Sequence, residues 1–244
     1  MRSLHVEERR SARRPGWQIK LRRWPLAAGT AILAGCASVA GPTTTDLVRT
    51  QLLALLQTLN ADLLGHASAT LTLERWCSDH RLADPARIVA RRVRGTPESI
   101  PDDLRARLAV DPRQRIAYRH VQLVCGKHVL SEADNWYVPD RLTAQMNRQL
   151  ETTEAPFGRV VRRLDFQRHT LSAHLLWSPL PAAWEMSGDA TPAKPRVPLR
   201  IPHAVLRHEA ILYTSTHKPF SAVVETYTNE VFDFGPWAAY LESR

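Results

Sequence analysis

Two charges set inside apolar strands are the residues of this chain best placed to do chemistry. Arg119 shares one parity of the run 116–124 with Ala117, Val121 and Leu123, and Glu225 stands in the run Ser221-Ala222-Val223-Val224-Glu225-Thr226-Tyr227. Successive side chains of a strand leave on opposite faces, so Arg119 points toward a core, and the run around Glu225 reads as mostly buried. A buried charge is costly unless it is paired or meets a charged ligand. Two arrangements meet that requirement. Arg119 and Glu225 form a structural salt bridge with each other, or they line a cavity in which Arg119 clamps a carboxylate and Glu225 meets a hydroxyl or moves a proton.

Other chemistries lack their residues. The sequence has no GxSxG elbow, no GxxxxGK[ST] phosphate loop, no GxGxxG and no HExxH. Its 10 histidines carry no ligand spacing, so neither a metal site nor a cofactor is expected. The net charge of +9 is concentrated at the start, where Lys20 and the arginines of residues 1–36 face only Glu7 and Glu8. The remainder is too balanced for a phosphate-tracking surface, and no nucleic-acid partner is expected.

The elements that must hold Arg119 and Glu225 follow from periodicity. Leu52, Leu55, Leu56, Leu59 and Leu63 fall on one stripe, giving a helix over 45–64 closed by Gly65. A second helix fits 69–80 with Ser68 as its N-cap. Strands are predicted over 88–93, 116–124, 129–138, 166–177, 204–213 and 221–228, with Gly126-Lys127 as a hairpin turn. Short helices fit 102–108, 140–150 and part of the tail, and Pro156-Phe157-Gly158 is expected to break the chain before 159–164. Prolines crowd the stretch 178–202, which reads as a surface excursion. Hairpin-linked strands with helices at the start and middle give an α+β domain with an antiparallel sheet.

The run Tyr118-Arg119-His120-Val121-Gln122-Leu123-Val124-Cys125-Gly126, followed by Leu130 through Pro139, resembles the central hairpin of the chorismate lyases. Pro156-Phe157-Gly158-Arg159 is similar to that family's Pro-Leu-Gly-Arg element, and Lys218-Pro219 with Val224-Glu225 to its Lys-Pro and acidic strand. The helix Leu71-Thr72-Leu73-Glu74-Arg75-Trp76 looks like the family's early helix, so the likeness covers roughly 69–234. The resemblance implies a single antiparallel sheet of about six strands with helices on one side, and a small aromatic carboxylate buried beneath helical flaps. It implies removal of pyruvate from chorismate to leave 4-hydroxybenzoate, without metal or organic cofactor. On this reading Arg119 holds the ring carboxylate, and Glu225 meets the 4-hydroxyl region and assists proton removal. The backbone at Phe157, with Gly158 beside it, completes the carboxylate site. A non-catalytic protein binding a small aromatic carboxylate in the same pocket is the alternative. The same fold serves as the effector-binding domain of some transcription regulators. Phe157 stands where the family has leucine, the step from Pro219 to Glu225 is one residue longer, and 178–202 looks like an insertion.

Leu33-Ala34-Gly35-Cys36 ends a short apolar run behind a basic leader, the pattern of a bacterial lipoprotein signal. Residues 1–36 are then signal peptide, 37–68 a tether and N-terminal helix, and 69–244 the lyase-like domain. Cys36 becomes the lipidated residue, anchoring the chain to a membrane on its periplasmic side; Ala37 directly after it points to the outer membrane. Without a working leader the chain stays in the cytoplasm, where chorismate is made. Cys77 and Cys125 are the other two cysteines, either bridged or buried as free thiols.

Overall fold

The structure, a computed structural model, describes residues 44–95, 98–186 and 198–242. The leader and Cys36 lie outside the described residues, as do 187–197 of the proline-rich stretch.

Among the described residues five helices and six strands follow in the order α1 (Thr44–Gly65), α2 (Ala69–Asp79), β1 (Ile88–Arg92), α3 (Asp102–Arg107), β2 (Ala117–Cys125), β3 (His128–Tyr137), α4 (Ala144–Thr152), α5 (Phe157–Val160), β4 (Gln167–Leu175), β5 (Ala204–Tyr213) and β6 (Pro219–Thr228). All strands join one sheet in the order β1-β2-β3-β6-β5-β4, and every pairing is antiparallel. That is the α+β architecture expected from the sequence.

Alternation sorts the sheet into two faces. Val121, Leu123 and Ala133 face α1 and α2, whose Leu52, Leu56, Leu59, Leu63, Leu73 and Trp76 complete the main core. The leucine spacing of α1 is the cause: residues three and four apart share one side of a helix. α4 and α5 bury Met146, Leu150 and Val160 against Tyr137. On the opposite face α3 is the one helix docked among the described residues, where Leu104 and Leu108 cover Trp136, Ile211, Ala222 and Val224.

Two bonds fix α2. Ser68 caps it by accepting from Leu71 N, and Cys77 is disulfide-bonded to Cys125 at the end of β2, with Cα atoms 6.6 Å apart. The free-thiol alternative is thereby excluded. Gly126 in the β2–β3 turn has φ +58°, and a Cβ there would lie 2.7 Å from Ala83 Cβ, so both backbone and space require glycine.

Elsewhere the chain differs in detail. Pro156-Phe157-Gly158 does not break it; Pro156 is the N-cap and α5 begins at Phe157, because a proline just outside a first turn surrenders no helical hydrogen bond. The helix expected from residue 140 begins at Ala144, where Thr143 caps Met146 N, and a 3-10 turn at Pro139–Arg141 precedes it. Ile201, at the end of the proline-rich stretch, is tied down by bridging to Leu241.

Candidate functional site

The inner face of β2, β3 and β6 carries a cavity of about 50 Å³. Its floor comes from register. Arg119 lies opposite Asn135, which lies opposite Val223; Val121 lies opposite Ala133, which lies opposite Glu225. Small and β-branched residues leave room above the strands, and Phe157, Gly158, Phe166 and the segment 67–70 close the roof. Gly158 lets the roof close in there, since a Cβ would sit 2.8 Å from Ser68 Oγ and force it to shift. Glu74 of α2 ties the roof together by pairing with Arg159 of α5 and accepting from Ile88 N at 3.1 Å.

The structure thus brings Arg119, Phe157, Gly158 and Glu225 to one cavity. It does not pair the two charges. Arg119 is only 4% exposed, yet no carboxylate lies within ion-pair distance of it among the described residues. Its Nη2 donates to Ala155 O at a long 3.4 Å, and its Nε is buried without a partner. Burial, and secondarily Arg92, pulls the guanidinium down to about 10, so it keeps its charge at neutral pH.

Glu225 is answered from β4 instead. Arg168 Nη2 donates to Glu225 Oε2 at 2.6 Å, both side chains being almost fully buried. Tyr227 OH donates to the same oxygen at 3.2 Å. Burial pulls Arg168 down, but Glu225 and Tyr227 outweigh it, and the net direction is up. Tyr227 is raised well above the usual phenol by burial and then by Glu225, so it stays a neutral donor. His208, opposite Glu225 on β5, is lowered to about 4 by burial first and Arg168 second. Its Nε2 meets Asn60 Oδ1 of α1 at 2.9 Å, so the neutral ring carries its proton on Nε2.

Of the two arrangements open to Arg119 and Glu225, the mutual salt bridge does not form, because Glu225 pairs with Arg168 instead. The cavity holds two guanidinium groups against one carboxylate, and Arg119 is the surplus charge. Sequence reasoning missed Arg168 because β4 is an edge strand whose polar residues fall on both parities, so no charge stands out. Asn135, which also lines the cavity, was hidden by a shift in the β2–β3 register between Leu123 and Val124.

Fold and cavity together define an antiparallel α+β domain built around a buried cationic cavity. The chain belongs to the family of the uncharacterized protein y4mC of Sinorhizobium fredii, with which it is 55% identical over 191 residues, spanning 78% of this chain and 80% of that one. No protein-family model matches it. Among solved structures, PhnF from Mycobacterium smegmatis overlaps with a TM-score of 0.42 at 13% identity, over 74% of this chain and 70% of that chain. The effector domain of the same protein gives 0.41 at 12%, over 73% and 95%.

Proposed function

We propose that the cavity binds a small carboxylate, with an aromatic acid such as 4-hydroxybenzoate as the natural class. The observation that carries this is Arg119: a charged guanidinium, buried, lining a cavity and lacking a carboxylate partner. A bound carboxylate would complete its hydrogen bonds and cancel the surplus charge. The walls around it are Val121, Leu123, Phe157, Phe166, Leu212 and Val223, which suit a flat apolar body. At about 50 Å³ the cavity is smaller than the roughly 150 Å³ that admits a benzene ring. Binding therefore requires the roof at 67–70, Phe157 and Phe166 to give way. Titrating the purified chain with 4-hydroxybenzoate tests the reading; no binding, or binding unchanged in Arg119→Met, would defeat it.

Chorismate pyruvate-lyase activity is the second reading, favoured by the presence of Glu225 in the same cavity as Arg119. In that reaction the ether C–O bond to the ring breaks and enolpyruvate leaves, taking up a proton to become pyruvate. The ring carbon bearing the hydroxyl loses its proton as the ring becomes aromatic. Glu225, which lines the cavity and pairs with Arg168, would be the acceptor for that proton. Incubation with chorismate separates the readings: 4-hydroxybenzoate and pyruvate appearing together support the enzyme, and binding without turnover leaves the binder.

Export with lipidation at Cys36 is proposed alongside, supported by the Cys77–Cys125 disulfide, which persists in oxidising compartments. Cys36→Ser should move the protein out of the membrane fraction; unchanged partitioning would argue against the anchor.

A further inference from the structure

We propose that Asn135 reads a hydrogen-bond donor placed beside the ligand's carboxylate, so that the preferred ligands are acids carrying an amino or hydroxyl group on the carbon next to the acid-bearing one. The inference rests on Arg119 as the carboxylate anchor and adds the chemistry that selects among acids. Asn135 is 4% exposed and lines the cavity. Its Nδ2 donates to Ser221 Oγ at 3.1 Å, while its Oδ1 is buried with no donor. An orphaned buried acceptor carries a standing desolvation penalty, which a ligand N–H or O–H would relieve.

Position decides where that donor must be. Asn135 is the direct cross-strand partner of Arg119. Opposed residues of an antiparallel pair hold their Cβ atoms about 4.5–5.5 Å apart, so the two side chains address neighbouring atoms of one ligand. Of the inner-face positions beside the two, Val121, Ala133 and Val223 line the cavity and offer no side-chain donor or acceptor, while Tyr137 and Ser221 share the face but do not line the cavity. Glu225 lies further along, opposite Ala133, where it would meet the far end of a ring. Its Oε2 already accepts from Arg168 and Tyr227, whereas Asn135 Oδ1 accepts from nothing. The unfilled demand for a donor is therefore beside the acid, not across the ring from it.

Calorimetric titration of the full chain in mild detergent with benzoate, 2-methylbenzoate, 2-aminobenzoate and 4-aminobenzoate tests this. The 2-methyl and 2-amino acids match in size and differ in the donor. 2-Aminobenzoate should bind about tenfold tighter than 2-methylbenzoate, the gain of one buried hydrogen bond, and 4-aminobenzoate should gain less over benzoate. Asn135→Leu should bring the 2-amino to 2-methyl ratio near one while benzoate affinity stays within a few-fold. If Asn135→Leu does not fold, the series on the unaltered chain still decides. Benzoate binding that depends on Arg119 with no advantage for the 2-amino group overturns the role of Asn135 alone. An advantage that survives Asn135→Leu does the same. Failure of every acid to bind, or binding indifferent to Arg119→Met, overturns the carboxylate reading and this inference with it.

Discussion

Arg168 and Glu225 form a buried ion pair across the sheet, with 2.6 Å between Nη2 and Oε2 and almost no exposure on either side chain. The pair joins the edge strand β4 to the inner strand β6, reaching over β5. It sets the electrostatics of the cavity, because Arg168 compensates the charge of Glu225, and Arg119 is left without a carboxylate partner among the described residues.

Breaking that pair from one side strands a charge in a dry site. Glu225→Leu or Arg168→Met should each destabilise the protein by about 3–5 kcal/mol in chemical denaturation. The double substitution Arg168→Met/Glu225→Leu should recover most of the loss. Additive single losses would show that the two groups do not act as a pair.

Arg119 predicts the opposite sign. A buried guanidinium lacking a carboxylate is an unfavourable feature that a ligand would relieve, so Arg119→Met should raise the stability of the unliganded protein by about 1–3 kcal/mol. The same change should abolish carboxylate binding. A variant less stable than the parent would mean that Arg119 is satisfied in a way its bonds do not show.

How far the sequence could be read depended on local signals. The stripe of α1, the parity of Arg119 and the run holding Glu225 are each visible within a few residues, and six strands and an α+β fold follow from them. Pairing was less visible. Counting outward from the turn at Gly126 sets Arg119 against Asp134, but the register shifts between Leu123 and Val124 and sets it against Asn135. A one-residue slip exchanges the faces of a strand, so a single bulge hid the cavity's amide. The Arg168–Glu225 pair is equally non-local, 57 residues apart in the chain.

Gly158 offers a packing test of the roof. Gly158→Ala would drive its Cβ to 2.8 Å from Ser68 Oγ, displacing the cap of α2 and the segment over the cavity. A loss of about 1–3 kcal/mol is expected. Ser68→Ala alone costs about 1 kcal/mol as a lost N-cap. The double variant should lose less than the sum, since the clashing oxygen is gone. Full additivity, measured by thermal unfolding, would place the strain elsewhere.

The Cys77–Cys125 bridge closes a loop with a sequence separation of 48 and ties α2 to β2. Chain-entropy arguments assign such a closure about 4 kcal/mol. Cys77→Ser/Cys125→Ser should lower the denaturation midpoint accordingly, and thiol titration of the unfolded, unreduced Cys36→Ser protein should find no free thiol. Two reactive thiols would defeat the bridge.

His208 gives the pH dependence. Its folded value of about 4 lies below the ordinary 6.5, because burial and Arg168 disfavour the charged ring. Asn60 of α1 faces its Nε2, Tyr227 of β6 packs edge-on against it at 5.4 Å between ring centroids, and Glu225 lies opposite. Between these two values the unfolded chain binds a proton that the folded chain refuses. Stability is therefore whole above about pH 6.5 and falls as the pH drops toward about 4, by up to about 3 kcal/mol from this residue. His208→Gln keeps a donor for Asn60 without a titrating ring, so its denaturation free energy should fall less steeply over the same window. Parallel slopes for parent and variant would show that acid lability comes from other groups.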